Sequence, residues 1–219
     1  LCRWDLEGKV EHWRLEGVSH FDSIHDVKAT ERHVVVMDLP FVTEPMGRTP
    51  GQLRRPVQDF ARLWIVAKDD LERHEAGAAV PFRELTVPLM GGHLALDWAE
   101  DGGAIRATIA QHPLTDLGLG IEPGDRAYAT GEPIDGAYEG LFPFVAQPTS
   151  FARLLIDPAA GKVLERRALP LTEALWGGLL FTQDLHSDAA RGELRDLWLG
   201  SGGFEPDLIP QRWWETYAE

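Results

Sequence analysis

The sequence predicts an all-β fold, and three observations lead to this prediction. Apolar and polar residues alternate in short runs, which is the pattern of strands with one buried face. Fifteen prolines and twenty-two glycines separate these runs at fairly regular intervals, as turn residues do between strands. Apolar residues at helical spacing persist for no more than about two turns. A sandwich, a barrel and a propeller are all compatible with this pattern.

Three segments predict β-hairpins. Residues 1–16 form two alternating runs around Glu7-Gly8, a tight-turn signal. Residues 93–111 predict a second hairpin that turns at Asp-Gly-Gly, and residues 151–169 predict a third that turns at Asp-Pro-Ala-Ala-Gly. Neighbouring strands joined in this way are the expected building unit of the whole chain.

Two further segments predict single strands. Residues 33–40 are short and rich in β-branched side chains, which predicts a strand buried on both faces. Residues 61–70 predict another strand. Between them, residues 41–58 lack any periodicity and predict a long loop, a kind of segment that is usually functional or mobile in a compact domain. No linker marks a boundary, so we expect one segment, 1–219, of a single domain.

Charge and composition exclude several classes of protein. The chain carries 21 Lys and Arg against 35 Asp and Glu, a net charge of −14, which argues against binding to nucleic acid. Its only cysteine is Cys2, which excludes an intrachain disulfide scaffold and a zinc–cysteine cluster. No apolar run reaches the roughly 18 residues of a membrane-spanning helix. The motifs of nucleotide-binding loops, α/β-hydrolases and zinc proteases are also absent.

Two of the eight histidines stand in a setting that suits a metal ligand. His25 lies between Ile24 and Asp26, just ahead of the buried strand, where a side chain can point into a site at a strand end. His93 opens the second hairpin after Gly91-Gly92, and paired glycines allow close approach of the backbone to another group. A metal site needs several converging side chains, so the pattern alone leaves both histidines as candidates.

Two stretches of the sequence, DLEGKVEH at 5–12 and IHDVKATERHVVVMDLP at 24–40, resemble motifs of the carotenoid cleavage oxygenase family. That family has a D-x-x-G-x-x-x-H hairpin, matched by Asp5, Gly8 and His12, followed by an I-H-D-F-A-I-T-E-x-Y-V-V stretch that ends in D-x-P. The matching positions of the second stretch are Ile24, His25, Asp26, Thr30, Glu31, Val34, Val35, Asp38 and Pro40. The segment HLALDWAEDGG, 68 positions beyond His25, partly matches a family H-x-x-N-A-x-E-x-D-G hairpin, with Leu96-Asp97 in place of Asn-Ala.

The resemblance implies a fold and a metal site. The fold is a seven-bladed β-propeller with capping loops, of which this chain would hold about three to four blades. The site is a non-haem Fe(II) held by four histidines, of which His25 and His93 would be two. The other two ligands are expected outside this chain. We interpret His112, in an H-P-x-x-D run, as a surface residue, because the family's first-ligand motif belongs elsewhere in the order.

The resemblance also implies a reaction. Family members use O2 to cleave a conjugated C=C bond of an apolar carotenoid, apocarotenoid or stilbene into two carbonyl products. No catalytic residue is expected beyond the metal ligands, but glutamates orient the histidines through their second ring nitrogen, and Glu139 and Glu205 are the candidates. We expect a cytoplasmic protein with peripheral membrane contact for substrate uptake. The isolated chain is expected to be inactive.

Two alternatives to this enzyme remain. One is a non-catalytic β-propeller interaction module, or an inactive fragment, that lacks a complete iron site. The other is a propeller hydrolase or lactonase, which usually holds a divalent ion with Glu, Asp and Asn. The complete absence of asparagine counts against the hydrolase.

Overall fold

A computed structural model describes residues 1–18, 23–39, 60–89, 91–111, 120–141, 150–170, 179–184, 196–200 and 206–212. The fold is mostly β, as predicted. The strands are β1 (Cys2–Trp4), β2 (Val10–His12), β3 (Arg14–Leu15), β4 (Ile24–Ala29), β5 (His33–Asp38), β6 (Phe60–Ala67), β7 (Ala79–Val80), β8 (Arg83–Pro88), β9 (Gly91–Leu96), β10 (Ile105–Gln111), β11 (Ser150–Asp157), β12 (Lys162–Pro170), β13 (Leu179–Asp184) and β14 (Asp196–Gly200). Helix α1 spans Lys68–Arg73, and single 3-10 turns span Gly136–Tyr138 and Pro206–Leu208.

Two four-stranded antiparallel sheets form the centre of the described structure. The first sheet has the strand order β4-β5-β6-β8, and the second has the order β9-β10-β11-β12. Strands β1 and β2 pair as a hairpin, β13 pairs with β14, and β3 pairs in parallel with β7. Each large sheet therefore follows the chain closely, with hydrogen bonds between strands that are near neighbours in sequence.

The main hydrophobic core lies between the two large sheets. Alternate residues of six strands supply it, so that each sheet turns one apolar face towards the other. Its members are Val35, Met37, Leu39, Ala61, Leu63, Ile65, Leu85, Val87, Leu94, Leu96, Ile105, Ala107, Ile109, Ala152, Leu154 and Ile156. A smaller cluster around Trp13, Val66, Leu71 and Val80 covers the opposite face of the first sheet. The predicted burial of the 33–40 strand on both faces is confirmed, because Val35 and Val36 are both buried.

The three predicted hairpins are present, and local chemistry explains the turn of the first. One carboxylate oxygen of Asp5, Oδ1, accepts hydrogen bonds from the backbone N–H groups of Glu7, Gly8 and Lys9 at 2.8–3.0 Å. Gly8 has φ of +119°, a conformation that favours glycine. Asp5 and Gly8 of the D-x-x-G motif therefore have a structural role, which is to form the turn of this hairpin.

The strand predicted at 61–70 is shorter than expected. It ends at Ala67, and the chain turns directly into α1. Asp69 and Asp70 lie in the first turn of this helix, where negative charge interacts favourably with the helix dipole, and Leu71 buries its side chain. The loop predicted at 41–58 lies outside the described residues. In the described part of the chain, no helix is long and apolar enough to cross a membrane.

Candidate functional site

The site is centred on His25 and His93, which the fold brings together. His25 lies on β4 and His93 on β9, the first strands of the two large sheets, and these strands are in contact. The centroids of the two imidazole rings are 5.1 Å apart, and the ring planes meet at 47°. Two residues separated by 68 positions in sequence thus become neighbours across the junction between the sheets.

A β-bulge lies at each histidine. Between β4 and β5, Ile24 pairs with Asp38 and Asp26 with the adjacent Met37, so His25 is an extra residue in its strand. Between β9 and β10, only Ala110 stands opposite the two residues Gly92 and His93. Bulges change the direction of side chains and are common beside active sites. The extra residue allows His25 and the adjacent Asp26 to approach His93 together, whereas a regular strand would turn them to opposite faces.

Gly91 lets the two sheets approach closely next to His93. A Cβ atom placed on Gly91 would come within 3.0 Å of the Ile109 Cγ2 and Met37 Sδ atoms and 3.6 Å of the Ala61 Cβ atom. These neighbours belong to both sheets, so a larger residue would push the sheets apart. The close backbone approach predicted for the glycines before His93 is confirmed at Gly91.

Asp26 is the carboxylate that contacts the pair, and the sequence reasoning assigned it no role. Its Oδ2 atom accepts a hydrogen bond from the backbone N–H of Leu94 at 3.0 Å and lies 3.6 Å from the Nδ1 atom of His93. The Nζ atom of Lys28 lies 4.0 Å from the other carboxylate oxygen, Oδ1. The I-H-D motif contained the signal, but only the bulge at His25 directs its Asp26 to the second sheet.

The electrostatics of the site keep His25 neutral and Asp26 charged. Partial burial, and then repulsion by a protonated His93, lower the pKa of His25 below its ordinary value of 6.5, while Asp26 opposes this shift. Burial raises the pKa of Asp26, but the nearby His93 ring and the hydrogen bond from the Leu94 N–H outweigh this effect, so the pKa falls below 3.8. Neutral imidazole is the form that binds a metal ion.

The distance between the two ring centroids matches that of two histidines bound to one metal ion. Ring nitrogens about 2.1 Å from a shared ion, at an angle between a right angle and the tetrahedral one, put the ring centroids roughly 4.6–5.3 Å apart. The observed 5.1 Å lies in this range. Within the described ranges, no group of three or more His, Cys, Asp or Glu side chains could hold a metal ion. Two histidines, His25 and His93, are therefore the imidazoles that the described structure brings together here.

Of the two glutamates predicted to orient the histidines, the structure describes Glu139 and places it away from the pair. Glu139 is exposed at the end of the 3-10 turn Gly136–Tyr138, where its backbone N–H donates to the Gly136 carbonyl oxygen at 3.1 Å. Glu205 lies outside the described residues, as does His112. The carboxylate in contact with His93 is that of Asp26 instead.

Other motif residues have structural roles. The buried Asp38 side chain accepts hydrogen bonds from the Ser23 N–H at 2.8 Å and from the Arg62 Nη2 atom at 2.7 Å. Thr30 is buried and donates from Oγ1 to the Glu100 carboxylate at 2.6 Å. These contacts hold strands and turns in place. His25 and Asp26 differ, because they face a partly exposed histidine of the other sheet.

Comparison with known proteins found no match to any family model, any curated protein or any solved structure. The resemblance to the carotenoid cleavage oxygenases therefore rests on the quoted motifs, and the family stays a prediction. The paired histidines on bulged strands are a finding of the structure that stands without it.

Proposed function

We propose that this chain supplies two iron ligands, His25 and His93, to a non-haem Fe(II) dioxygenase of the carotenoid-oxygenase kind. The observation that carries this proposal is the approach of the two imidazoles to 5.1 Å across two sheets, with a β-bulge at each. Two residues singled out from the sequence, 68 positions apart, have no local reason to meet. Their meeting is expected if both face one ion on a common axis.

The fold supports the same proposal. A propeller blade is a four-stranded antiparallel sheet whose strands follow the chain, and successive blades pack face to face around an axis. The two large sheets have this topology and this packing. Their first strands, β4 and β9, are in contact, and β13 of the following strand pair also contacts β9. We propose that these are the inner strands of successive blades, in a seven-bladed propeller of which about three to four blades lie here.

The reaction that we propose is the one that the resemblance to the carotenoid cleavage oxygenases implies. Bound iron would supply the activation of O2 for cleavage of a conjugated C=C bond, with a carotenoid, apocarotenoid or stilbene as substrate. His25 and His93 would hold the metal as neutral ligands, and the lowered pKa of His25 favours its neutral form. We propose that two more histidines complete the set from outside this chain, in a cytoplasmic protein that contacts membranes peripherally to collect its apolar substrate.

The ligand assignment can be tested on the 219-residue chain with a paramagnetic ion, because this method detects weak binding. Co(II) or Fe(II) is added without oxygen, and the ring signals of all histidines are followed by NMR. The signals of His25 and His93 are expected to broaden first, and His25→Ala and His93→Ala should each abolish the effect at the other ring. His12→Ala is the matched control, because His12 is exposed on the first hairpin. Equal broadening of His12, His25 and His93 would contradict the assignment.

Activity gives a second, independent test. With ferrous iron and O2, the chain alone is expected to release no aldehyde from a β-apocarotenal or a hydroxystilbene, because two imidazoles hold Fe(II) weakly. In a protein with all four ligands, His25→Ala should abolish iron binding and cleavage, and His112→Ala should change neither. Iron-dependent turnover by the chain alone would mean that the missing ligands lie among its other histidines.

A non-catalytic propeller module is the second candidate function. The observation that favours it is that, within the described ranges, no group of three or more His, Cys, Asp or Glu side chains could hold a metal ion. The NMR titration separates the two candidates. Selective broadening at His25 and His93 supports the enzyme, whereas metal ions that leave both rings unaffected at millimolar concentration support the module.

A further inference from the structure

We propose that Asp26 is a positioning residue that fixes the tautomer and the direction of the His93 ring. This inference deepens the proposed function, because it assigns the orienting carboxylate of one of the two proposed ligands. It differs from the sequence prediction, which looked to Glu139 and Glu205 for this role. The adjacent residues His25 and Asp26 then have different roles. His25 is a proposed metal ligand, and Asp26 orients the other proposed ligand, His93.

The position of the carboxylate carries the argument. A single oxygen of Asp26, Oδ2, accepts the Leu94 N–H at 3.0 Å and lies 3.6 Å from the His93 Nδ1 atom. Leu94 follows His93 directly, so the hydrogen bond ties Asp26 to the same stretch of β9 that carries the ring. At 3.6 Å the contact with Nδ1 is longer than a hydrogen bond, and a small rotation of the imidazole would close it.

The contact matters because it affects which ring nitrogen of His93 carries the proton. A carboxylate beside Nδ1 favours the tautomer that carries the proton on Nδ1, because this N–H can donate to it. The lone pair then lies on Nε2, at the other side of the ring. Because Asp26 is anchored to the Leu94 backbone, it limits the directions in which Nε2 can point. A metal ion shared with His25 needs such a preset direction.

The bulge at His25 makes the arrangement possible. Without the extra residue, alternation along β4 would turn either His25 or Asp26 away from the second sheet. Lys28, two residues further on, turns to the same side as Asp26, and its Nζ atom lies 4.0 Å from the carboxylate.

The test compares Asp26→Asn with the wild-type chain at a pH where the imidazoles are neutral. Asparagine has nearly the same shape and its amide oxygen can still accept the Leu94 N–H, but it lacks the charge that selects the tautomer. The first readout is the 15N chemical shifts of the His93 ring, which report the tautomer without any metal. Wild-type protein should carry the proton on Nδ1, and Asp26→Asn should shift the population towards the Nε2–H form.

The second readout is the affinity for Co(II), measured by the NMR titration. Asp26→Asn should weaken it by about tenfold, the lower end of the usual effect of losing such a partner. Asp26→Glu restores the charge and should recover most of the affinity. Asp69→Asn is the matched control, because Asp69 is an exposed aspartate on α1, with a side chain 81% exposed. It should change neither readout.

The outcomes separate this inference from the proposed function. An unchanged His93 tautomer in Asp26→Asn would overturn the inference, and so would a changed tautomer with unchanged Co(II) affinity. If wild-type protein shows no Co(II) binding at either histidine, the proposed function fails and the positioning role for a metal fails with it. A shifted tautomer in that case would still identify the Asp26–His93 contact as real. Should Asp26→Asn fail to fold, Asp26→Ser takes its place, because the serine hydroxyl can accept a hydrogen bond but carries no charge, and the same change in tautomer and loss of Co(II) affinity are expected.

Discussion

Two carboxylate–imidazole contacts join residues of the first sheet to residues near the second, and they differ in distance, burial and partners. Glu100 lies 2.7 Å from the Nδ1 atom of His33, and its side chain is fully buried. It also accepts the Thr30 hydroxyl at 2.6 Å. Asp26 lies 3.6 Å from the Nδ1 atom of His93, and both side chains are partly exposed, at 15% and 25%.

The difference separates a structural contact from one suited to chemistry. At Glu100 several donors converge on one buried carboxylate, and Arg32 adds an ion pair at 2.8 Å, so the group is held tightly in place. At Asp26 the contact is looser, and a second imidazole, His25, stands beside the first. An imidazole that serves as a ligand needs a partner that orients its second nitrogen, and Asp26 stands beside Nδ1 of His93 as such a partner.

The largest expected effect is the loss of stability in Glu100→Ala. This change removes the acceptor of two partly buried groups, the Thr30 hydroxyl and the His33 Nδ1 atom, and of the exposed Arg32 N–H, so the free energy of unfolding should fall by about 3 kcal/mol. Asp26→Ala should cost only about 1 kcal/mol, because one partly buried backbone N–H loses its acceptor. Urea unfolding of the two variants and the wild type measures both values. Equal losses would remove the distinction between the two contacts.

The second prediction concerns the junction beside His93. Gly91→Ala should lower the free energy of unfolding by about 1–2 kcal/mol, because the new methyl group would meet Ile109 and Met37 at 3.0 Å. It should also move the His93 ring signals in NMR spectra. Gly120→Ala is the matched control, since a methyl group there has only contacts at 3.9 Å. A change of less than about 0.5 kcal/mol at Gly91 would show that the sheets separate easily at this point.

The third prediction uses pH to sharpen the comparison. Burial raises the pKa of Glu100, but the hydrogen bonds from Thr30 and His33 and the charge of Arg32 outweigh it and lower the pKa below 4.5. Its contribution to stability is therefore complete above pH 4.5 and is lost as the pH falls through the lowered pKa. Wild-type protein should lose its advantage over Glu100→Gln as the pH is lowered from 6 to 3. A constant difference in melting temperature across this range would contradict the role of the charge.

Local chemistry made part of this structure predictable, and long-range contacts made the rest unpredictable. The hairpin at Asp5 and Gly8 follows from residues that bond within four positions of each other. The contact of Asp26 with the second sheet depends on a bulge at His25 and on a strand 68 positions away. Sequence periodicity cannot reveal a bulge, because one extra residue leaves the alternation of its neighbours intact on each side.

Because sequence periodicity cannot reveal a bulge, the sequence also does not indicate Asp26 as a carboxylate that could orient His93. The resemblance implies glutamates in this role and offers Glu139 as a candidate, whereas the structure leaves Glu139 exposed. Asp26 is a neighbour of His25 and a matched position of the I-H-D motif, but the sequence assigns it no role of its own. In a regular strand, adjacent side chains point to opposite faces, and that rule would have separated the two. The pairing of His25 with His93 could be predicted because the motif order carried it, not because the strand pattern did.

The smallest expected effects come from the cations beside the two carboxylates. Arg32 is 55% exposed but pairs with the buried Glu100 at 2.8 Å, whereas Lys28 lies 4.0 Å from the partly exposed Asp26. Exposed ion pairs contribute at most about 1 kcal/mol, so Arg32→Met should cost about that much and Lys28→Met about 0.5 kcal/mol or less. Lys28→Met should also raise the affinity for Co(II) slightly, because it removes a positive charge near a divalent cation, and added salt should reduce this gain. Urea unfolding and the NMR titration, each at two salt concentrations, measure both effects. A larger loss of stability in Lys28→Met than in Arg32→Met would mean that the Asp26 contact is the structural one and the Glu100 contact the looser one.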